Sequence, residues 1–473
     1  MTRPALLESA RSVAESVGGT LYGSGDSTIT GISIDSRECR TGSLFVALPG
    51  EHVDGHRFVA DALHAGAAMA MVRSRYVTGH RGELESLLGE TGAALCVVPD
   101  PLAALQDFAR ERLSHFPGLA RIAVTGSNGK TTTKELIASV LAQNDRTFKT
   151  RGNYNSEIGV PLSVFEVGEE HRFGVFECAM NHVGEMELLA GIVRPELAVV
   201  TNIGTAHIGL VGSQDGIARE KRQIFSRFDG SQTAVLYEAE DYRPMLEEGL
   251  AGRVELFGPE STPGFEGVES LGLDGSVIRW RGRSIRLPVP GDHNVRNALC
   301  AITVALHYGC TDDEIHAGLE AFTPEFGRGE VYRGDVTVIQ DSYNANADSM
   351  REAIRLLTAT PHEAGRKMLV LGAMYELGHY ADEHHRQVTE EAAGSDADAV
   401  FLFGAEFEKA AREAGAQGAG DRTGSARMHW TDDFDELAKM LRATVSGGDL
   451  VLLKGSRGTQ LERLLPVLTG GRV

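Results

Sequence analysis

The chain has 473 residues, ordinary charged and apolar fractions, and a net charge of −20. That length is too great for one ordinary core and predicts two to four domains. The acidic balance excludes a broad nucleic-acid-binding surface, because neutralising phosphates needs lysine and arginine.

Residues 1–19, with Arg3, Glu8, Arg11 and Glu15, read as a polar-apolar helix without the continuous apolar run of a signal peptide. Over residues 30–99 short apolar runs alternate with helical ones. Residues 43–48 (SLFVAL), 68–73 (AMAMVR) and 94–98 (ALCVV) read as strands, and 58–67 as a helix ending near Gly66. A boundary is expected at Pro99-Asp100-Pro101, since proline restricts itself and the residue before it. A helix over 102–114 follows and is broken at 116–118 (FPG). Residues 120–125 (ARIAVT) form a buried-strand pattern that enters a glycine-rich loop, then a helix over 131–143. Further strand-like runs at 173–177 (FGVFE) and 197–202 (LAVVTN) imply a parallel sheet, whose ligands lie beyond the C-terminal ends of its strands.

A second boundary is expected near 322–329. Beyond it, strand-like runs at 336–341, 367–371, 399–403 and 449–454 alternate with helical stretches such as 349–357 and 433–443. The predicted fold class is therefore α/β with three domains: a small α/β domain (1–100), a central P-loop-like parallel-sheet domain (101–326) and a C-terminal Rossmann-like domain (327–473). No stretch is long and apolar enough to span a bilayer, so no membrane insertion is expected. The five cysteines, Cys39, Cys96, Cys178, Cys300 and Cys310, are scattered and form no CxxC pair. Neither a zinc site nor a disulfide framework is expected, and a cytoplasmic location fits best.

The sharpest local signal is 124–135 (VTGSNGKTTTKE), between a strand and a helix. Gly126 and Gly129 let the backbone curl so that its N–H groups face phosphates, and the helix N-terminus favours negative charge. Lys130 would place a point charge on the β- and γ-phosphates, and Thr131 would offer its hydroxyl to Mg²⁺. A strict P-loop has glycine where Val124 stands. Glu177 closes one strand and His207 follows another. Taken alone, Glu177 reads as a strand-end surface acid and His207 as a hydrogen-bonded histidine. The order phosphate loop, acid, histidine on successive strands favours a metal site, although Mg²⁺ prefers oxygen ligands. Lys221 lies in a helix-like run, 217–225, where composition alone favours a solvated lysine paired to a nearby acid.

Strings along nearly the whole chain resemble the Mur ligase superfamily. They include DSR at 35–37, GSLFVAL at 42–48, DGH at 54–56, the phosphate loop, GNYN at 152–155, IGVPL at 158–162 and GEM at 184–186. Residues 202–207, Gly212-Ser213, Lys221, GDHNVRN at 291–297, DSYNANADSM at 341–350, ELG at 376–378 and KGSR at 454–457 continue the match. The DSYNAN and KGSR strings together mark the branch that joins D-alanyl-D-alanine to UDP-N-acetylmuramoyl-tripeptide. The DSYNAN string argues against the branch that adds the third amino acid and against a folylpolyglutamate-like ligase, and the intact set Lys130, Thr131, Glu177, His207 and Lys221 argues against a non-ligating nucleotide-binding relative.

The resemblance implies an ATP-dependent, ADP-forming ligase of peptidoglycan precursor synthesis, working through an acyl phosphate and acting as a monomer. Its partners would be two small-molecule substrates, the UDP-N-acetylmuramoyl-tripeptide and D-alanyl-D-alanine. The first domain would hold the UDP-muramoyl moiety, with Ser36 and Arg37 near the uridine. ATP would lie on Gly126, Ser127, Asn128, Gly129, Lys130, Thr131 and Thr132, with adenine at Asn294 and Asn297. Asp341, Tyr343 and Asn344 would close on it from the third domain. Asn153, Asn155 and Ser156 would meet the muramoyl phosphates and peptide, and Lys454 and Arg457 would approach the active site. Mg²⁺ would be held by Thr131, Glu177, His207 and a CO₂-derived carbamate on Lys221. Lys130, Glu177, His207 and Lys221 would form the catalytic set. The chain departs from the common family pattern at Ser156, Cys178, Ala347 and Ala373.

Overall fold

The computed structural model describes residues 7–50, 53–416 and 427–470. Of the helix expected over 1–19, residues 1–6 lie outside the described residues, and only Ala10–Ser16 is α-helical, with Ser9 Oγ accepting from the Ser12 amide at 3.0 Å.

The N-terminal region is a five-stranded sheet in the order Thr20–Gly23, Ala94–Val98, Met69–Arg73, Ser43–Val46, Gly31–Ser33. Its pairs are parallel except the first, where Thr20–Gly23 runs antiparallel to Ala94–Val98. The expected boundary at 99–101 is a helix start. Asp100 accepts from the Leu102 amide at 3.0 Å, and Pro101 occupies the first turn, where a missing N–H costs nothing. This helix, Pro101–Ser114, packs on strands of the N-terminal sheet and on the central helices Gly159–Val164 and Glu185–Val193. The two regions therefore share a wall. A single buried apolar cluster runs from Ala10 and Val13 through Phe176 and Ile203 to Leu369 and Leu452.

The central sheet has six parallel strands in the order Arg253–Phe257, Thr233–Tyr237, Leu197–Val200, Ala120–Thr125, Phe173–Glu177, Thr147–Lys149. The strands at its middle are buried on both faces, which is why they read as continuous apolar runs. Glu177 pairs with Val124 and Val200 with Thr125, so the loops that follow these strands leave the same edge side by side. Helix Lys130–Asn144 packs against helices Asp292–His307 and Asp312–Glu320.

The C-terminal sheet also has six strands, ordered Glu330–Tyr332, Thr337–Asp341, Leu450–Lys454, Lys367–Gly372, Ala399–Phe403, Met428–Thr431. All pair in parallel except the edge strand Glu330–Tyr332. The expected Rossmann-like strands are present, and the two edge strands add to them. A three-stranded antiparallel sheet, Phe265–Ser270, Ser276–Trp280 and Arg283–Leu287, was not anticipated. It is anchored by the fully buried Trp280, whose indole donates to Pro263 O at 2.8 Å. All five cysteines are free and buried, and among the described residues no helix is long and apolar enough to cross a membrane.

Candidate active site

The phosphate loop leaves the strand Ala120–Thr125 and turns into the helix Lys130–Asn144. Gly126 has φ +146, and a Cβ there would come within 1.9 Å of Thr201 Oγ1. Gly129 has φ +78, and its Cβ would meet Asn297 Oδ1 at 2.7 Å. Only glycine fits either position without displacing a neighbour. The neighbouring strand end splints the loop. Ser127 N donates to Asn202 O at 3.0 Å, Asn128 N to Asn202 Oδ1 at 2.9 Å, and Thr201 Oγ1 to Asn128 O at 2.6 Å. Ser127 Oγ in turn accepts from Gly204 N at 2.8 Å. No side chain caps the helix at Gly129, which leaves its first N–H groups to an anion. Lys130 Nζ folds back on the loop, donating to Gly126 O at 2.9 Å and Ser127 O at 3.3 Å. Burial lowers the pKa of this lysine, and the Glu177 carboxylate opposes that shift.

Glu177 is buried at the end of the adjacent strand. Its Oε1 accepts from Thr131 Oγ1 at 3.1 Å and from Asn155 Nδ2 at 2.7 Å. Its Oε2 is buried with no hydrogen-bond partner, and the ammonium of Lys134 lies 3.8 Å away. A buried carboxylate oxygen without a donor, beside a threonine hydroxyl and a phosphate loop, fits a magnesium ion. No cluster of three or more His, Cys, Asp and Glu able to hold a metal occurs among the described residues.

His207 opens a short helix, Ile208–Val211, in a left-handed conformation, φ 64. Its Nδ1 lies 2.6 Å from Glu376 Oε2 of the C-terminal region, close enough for an ion pair but without the alignment of a hydrogen bond. Lys221 is wholly buried on helix Gln214–Arg222, and no hydrogen bond or ion pair reaches its amine among the described residues. Burial and then the nearby Lys130 charge push its pKa well below the ordinary lysine value. The neighbouring Glu220 does not pair with it. Its carboxylate accepts from Gly184 N at 2.9 Å and Met186 N at 3.0 Å, capping helix Glu185–Val193.

Asn294 and Asn297 are buried in the first turns of helix Asp292–His307, with Asn297 against Gly129. Asn297 Nδ2 donates to Asn294 Oδ1 at 3.3 Å, and Asn294 Nδ2 to Pro290 O at 2.8 Å. From the C-terminal region, Asn346 Nδ2 donates to Asn128 Oδ1 at 2.8 Å, so that region touches the phosphate loop directly. Asp348 Oδ2 accepts from Thr205 N and Oγ1 at 2.8 and 2.9 Å. Lys454 Nζ pairs with Asp341 Oδ2 at 2.8 Å and donates to Asn344 O at 2.9 Å, binding three of the expected residues together. The Arg328 guanidinium stacks over the Tyr343 ring at 4.1 Å. Arg457 is exposed and pairs with Glu462 at 3.2 Å.

Of the residues expected near the uridine and muramoyl ends, Asn155 is drawn into this network through Glu177, whereas Ser36, Arg37, Asn153 and Ser156 are not. Arg37 is exposed and forks onto Asp35, whose carboxyl that hydrogen bond holds at a pKa of about 2. Ser36 lies in the same short helix, Ser36–Glu38. Asn153 is exposed, and Thr132 is half-buried. Ser156 Oγ accepts from Ile158 N at 3.4 Å and Gly159 N at 3.2 Å, where it opens helix Gly159–Val164. Ala373 is buried with its Cβ facing Gly404, and Cys178 and Ala347 are likewise fully buried.

Sequence reasoning missed several residues that the fold brings to this centre: Lys134, Arg328, Asp348 as a docking residue, and Glu376 as the partner of His207. A signal for Lys134 existed. It lies on the same helical stripe as Ala138 and Leu141, both buried, so a lysine there had to be paired.

A phosphate loop at the middle of a parallel sheet, with a buried acid on the next strand and a second Rossmann-like sheet docked on the loop, defines a nucleotide-binding α/β protein. Residues 28–112, 124–305 and 327–457 match, in that order, the Mur ligase family catalytic domain, the Mur ligase middle domain and the Mur ligase glutamate ligase domain. The chain belongs to the Mur ligase family. It is 43% identical over 93% of its length, and 93% of the relative's, to a UDP-N-acetylmuramoyl-tripeptide–D-alanyl-D-alanine ligase of Treponema pallidum. Among solved structures, MurF from Acinetobacter baumannii superposes with a TM-score of 0.87 at 30% identity, covering 99% of this chain and 100% of that one. The MurF ligase of Thermotoga maritima in complex with ADP superposes with a TM-score of 0.77 at 28% identity, covering 93% and 97%.

Proposed function

We propose that this protein is an ATP-dependent ligase that joins D-alanyl-D-alanine to UDP-N-acetylmuramoyl-tripeptide, releasing ADP and phosphate, in peptidoglycan precursor synthesis. The observation that carries the reading is the near full-length identity with ligases of that activity, over a chain whose phosphate loop and strand-end acid are intact. The tripeptide's terminal carboxylate oxygen attacks the γ-phosphorus, the bond to the β-phosphate oxygen breaks, and ADP leaves. The amine of the dipeptide then attacks the acyl carbon, loses a proton, and expels inorganic phosphate to leave an amide. Carboxylate and triphosphate repel one another, so the site must concentrate positive charge and exclude water.

The roles follow from that demand. Lys130 neutralises the phosphates, the loop amides of Gly126 to Thr132 cradle them, and Asn294 and Asn297 face the adenine. Thr131 and Glu177 would hold magnesium, which would supply further positive charge where the γ-phosphate transfers. His207 adds a donor at the neighbouring strand end. Asp341, Tyr343, Asn344, Lys454 and Arg457 close from the C-terminal domain (327–473) over the central domain (101–326). Ser36 and Arg37 of the N-terminal domain (1–100), with Asn153 and Asn155, hold the UDP-muramoyl peptide. Ser156 supports that loop by capping the helix after it.

Lys221 takes up CO₂ as a carbamate. Its burial without a partner among the described residues and its lowered pKa favour the neutral amine, the form that attacks CO₂, and loss of a proton from the nitrogen leaves an anion with oxygen donors suited to Mg²⁺. A screen of UDP-muramoyl tripeptides against acceptor dipeptides, read by mass spectrometry, tests the proposed reaction. A pentapeptide product supports it, and a product bearing one added amino acid would favour the branch that acts a step earlier.

A further inference from the structure

Lys134 is a lysine with no exposed surface, one turn beyond Lys130. Such burial demands partners. Its ammonium donates to Thr150 O at 2.8 Å and pairs with Glu135 Oε1 at 3.0 Å and Glu325 Oε1 at 3.5 Å. Glu135 is shared with Lys149, whereas Glu325 belongs to the segment that leads into the C-terminal sheet. The remaining neighbour is Glu177 Oε2 at 3.8 Å, too far for a hydrogen bond and close enough for a strong field.

The two oxygens of Glu177 are treated differently. Oε1 is filled by Thr131 and Asn155, while Oε2 faces the ammonium and is donated to by nothing. The same ammonium grips the carbonyl of Thr150, whose hydroxyl accepts from the Glu177 amide at 3.0 Å. Backbone and carboxylate of Glu177 are thus both referenced to one buried cation.

We propose that Lys134 is a positioning residue for the metal-site carboxylate, holding Glu177 Oε2 turned to receive the cation without occupying it. This inference rests on the reading of Glu177 as a metal ligand. It also makes a prediction of sign. A cation placed 3.8 Å from a metal ligand repels a second cation, so if Lys134 contributed only charge, its removal would tighten metal binding. If it fixes the carboxylate, its removal loosens metal binding.

The test measures Mn²⁺ binding to the full-length protein with ADP by electron paramagnetic resonance, alongside metal-free ADP binding by calorimetry. Lys134→Met should weaken Mn²⁺ binding about tenfold or more, with metal-free ADP affinity changed less than about twofold. Because Lys134→Met leaves Glu135 short of a partner and could fail to fold, Lys134→Met/Glu135→Gln is measured in parallel. It should bind Mn²⁺ as poorly as the single variant. Wild-type or tighter Mn²⁺ binding by either folded variant overturns the proposal. Glu177→Ala separates the two ideas: if it binds Mn²⁺ like wild type, the metal-ligand reading fails. If it loses Mn²⁺ while both Lys134 variants keep it, only the role of Lys134 falls.

Discussion

His207 Nδ1 and Glu376 Oε2 stand 2.6 Å apart across the join between the central and C-terminal sheets, and both residues hold left-handed backbones, φ 64 and φ 62. Each such conformation costs a non-glycine residue about 1–2 kcal/mol. The strain is retained by surrounding contacts, among them Gly209 N donating to Glu376 O at 3.0 Å. Substitutions at Glu376 separate strain from function. Glu376→Gly should raise thermal stability, by less than about 1 kcal/mol after loss of the half-exposed pair, while lowering kcat about tenfold. Glu376→Gln should lower kcat comparably with no gain in Tm. A fully active Glu376→Gly enzyme would show that the pairing is incidental.

Lys130→Ala should lower kcat at least about 100-fold, because a charge aimed at the transferring phosphate is lost. Among the described residues its ammonium hydrogen-bonds to loop carbonyls and to no side chain, so the melting temperature should move little. Steady-state ATP turnover and a thermal melt of the same preparation check both halves.

Much of this centre was legible in the chain because it is local. The strands 94–98, 120–125, 173–177 and 399–403 are short apolar runs bounded by breakers, and they stand where expected. The phosphate loop announces itself through Gly126, Gly129 and Lys130. The antiparallel sheet around Trp280 did not, although buried Ile278, Trp280, Ile285 and Leu287 alternate there with exposed Arg279, Ser284 and Arg286, because its strands are short and outside the alternating strand–helix pattern of the parallel sheets. Contacts made across the chain were also invisible: Asn346 on Asn128, Asp348 on Thr205 and Lys134 on Glu325 each join residues with no sequence signal linking them. The prolines at 99–101 signal a break, but nothing local shows that the helix that follows packs both on the N-terminal sheet and on central helices.

Lys221 distinguishes a carbamate from an ordinary buried lysine. Arginine keeps charge and length but forms no carbamate, so Lys221→Arg should fail about as badly as Lys221→Ala. Short carboxylate additives should restore part of the activity to Lys221→Ala alone. A carbonyl resonance in the wild-type protein under ¹³CO₂, absent from both variants, is the direct observation. Wild-type turnover by Lys221→Arg would remove the carbamate.

Asp449 offers a test of stability against pH. Burial raises its pKa, but hydrogen bonds from Arg366 and Ser446 outweigh that and hold the carboxyl below its usual range. A depressed folded pKa gives stability that is complete above the unfolded value of about 3.9 and is lost as pH falls through the folded one. Asp449→Asn should cost about 1–2 kcal/mol at neutral pH and flatten the acid limb of the stability curve. Chemical denaturation between neutral pH and pH 3 measures both, and an unchanged acid limb would place the sensitive carboxylates elsewhere.

The most direct test of the central claim is ADP release by the purified protein, measured with ATP and Mg²⁺ plus the UDP-muramoyl tripeptide, the D-alanyl-D-alanine dipeptide, or both. An ordered cleft that transfers phosphate only to a bound carboxylate, and then needs an amine to discharge the acyl group, predicts sustained release with both substrates alone. One ADP should then appear for each pentapeptide formed. Sustained release with ATP alone, or with the tripeptide in the absence of an acceptor amine, would contradict the ligase mechanism.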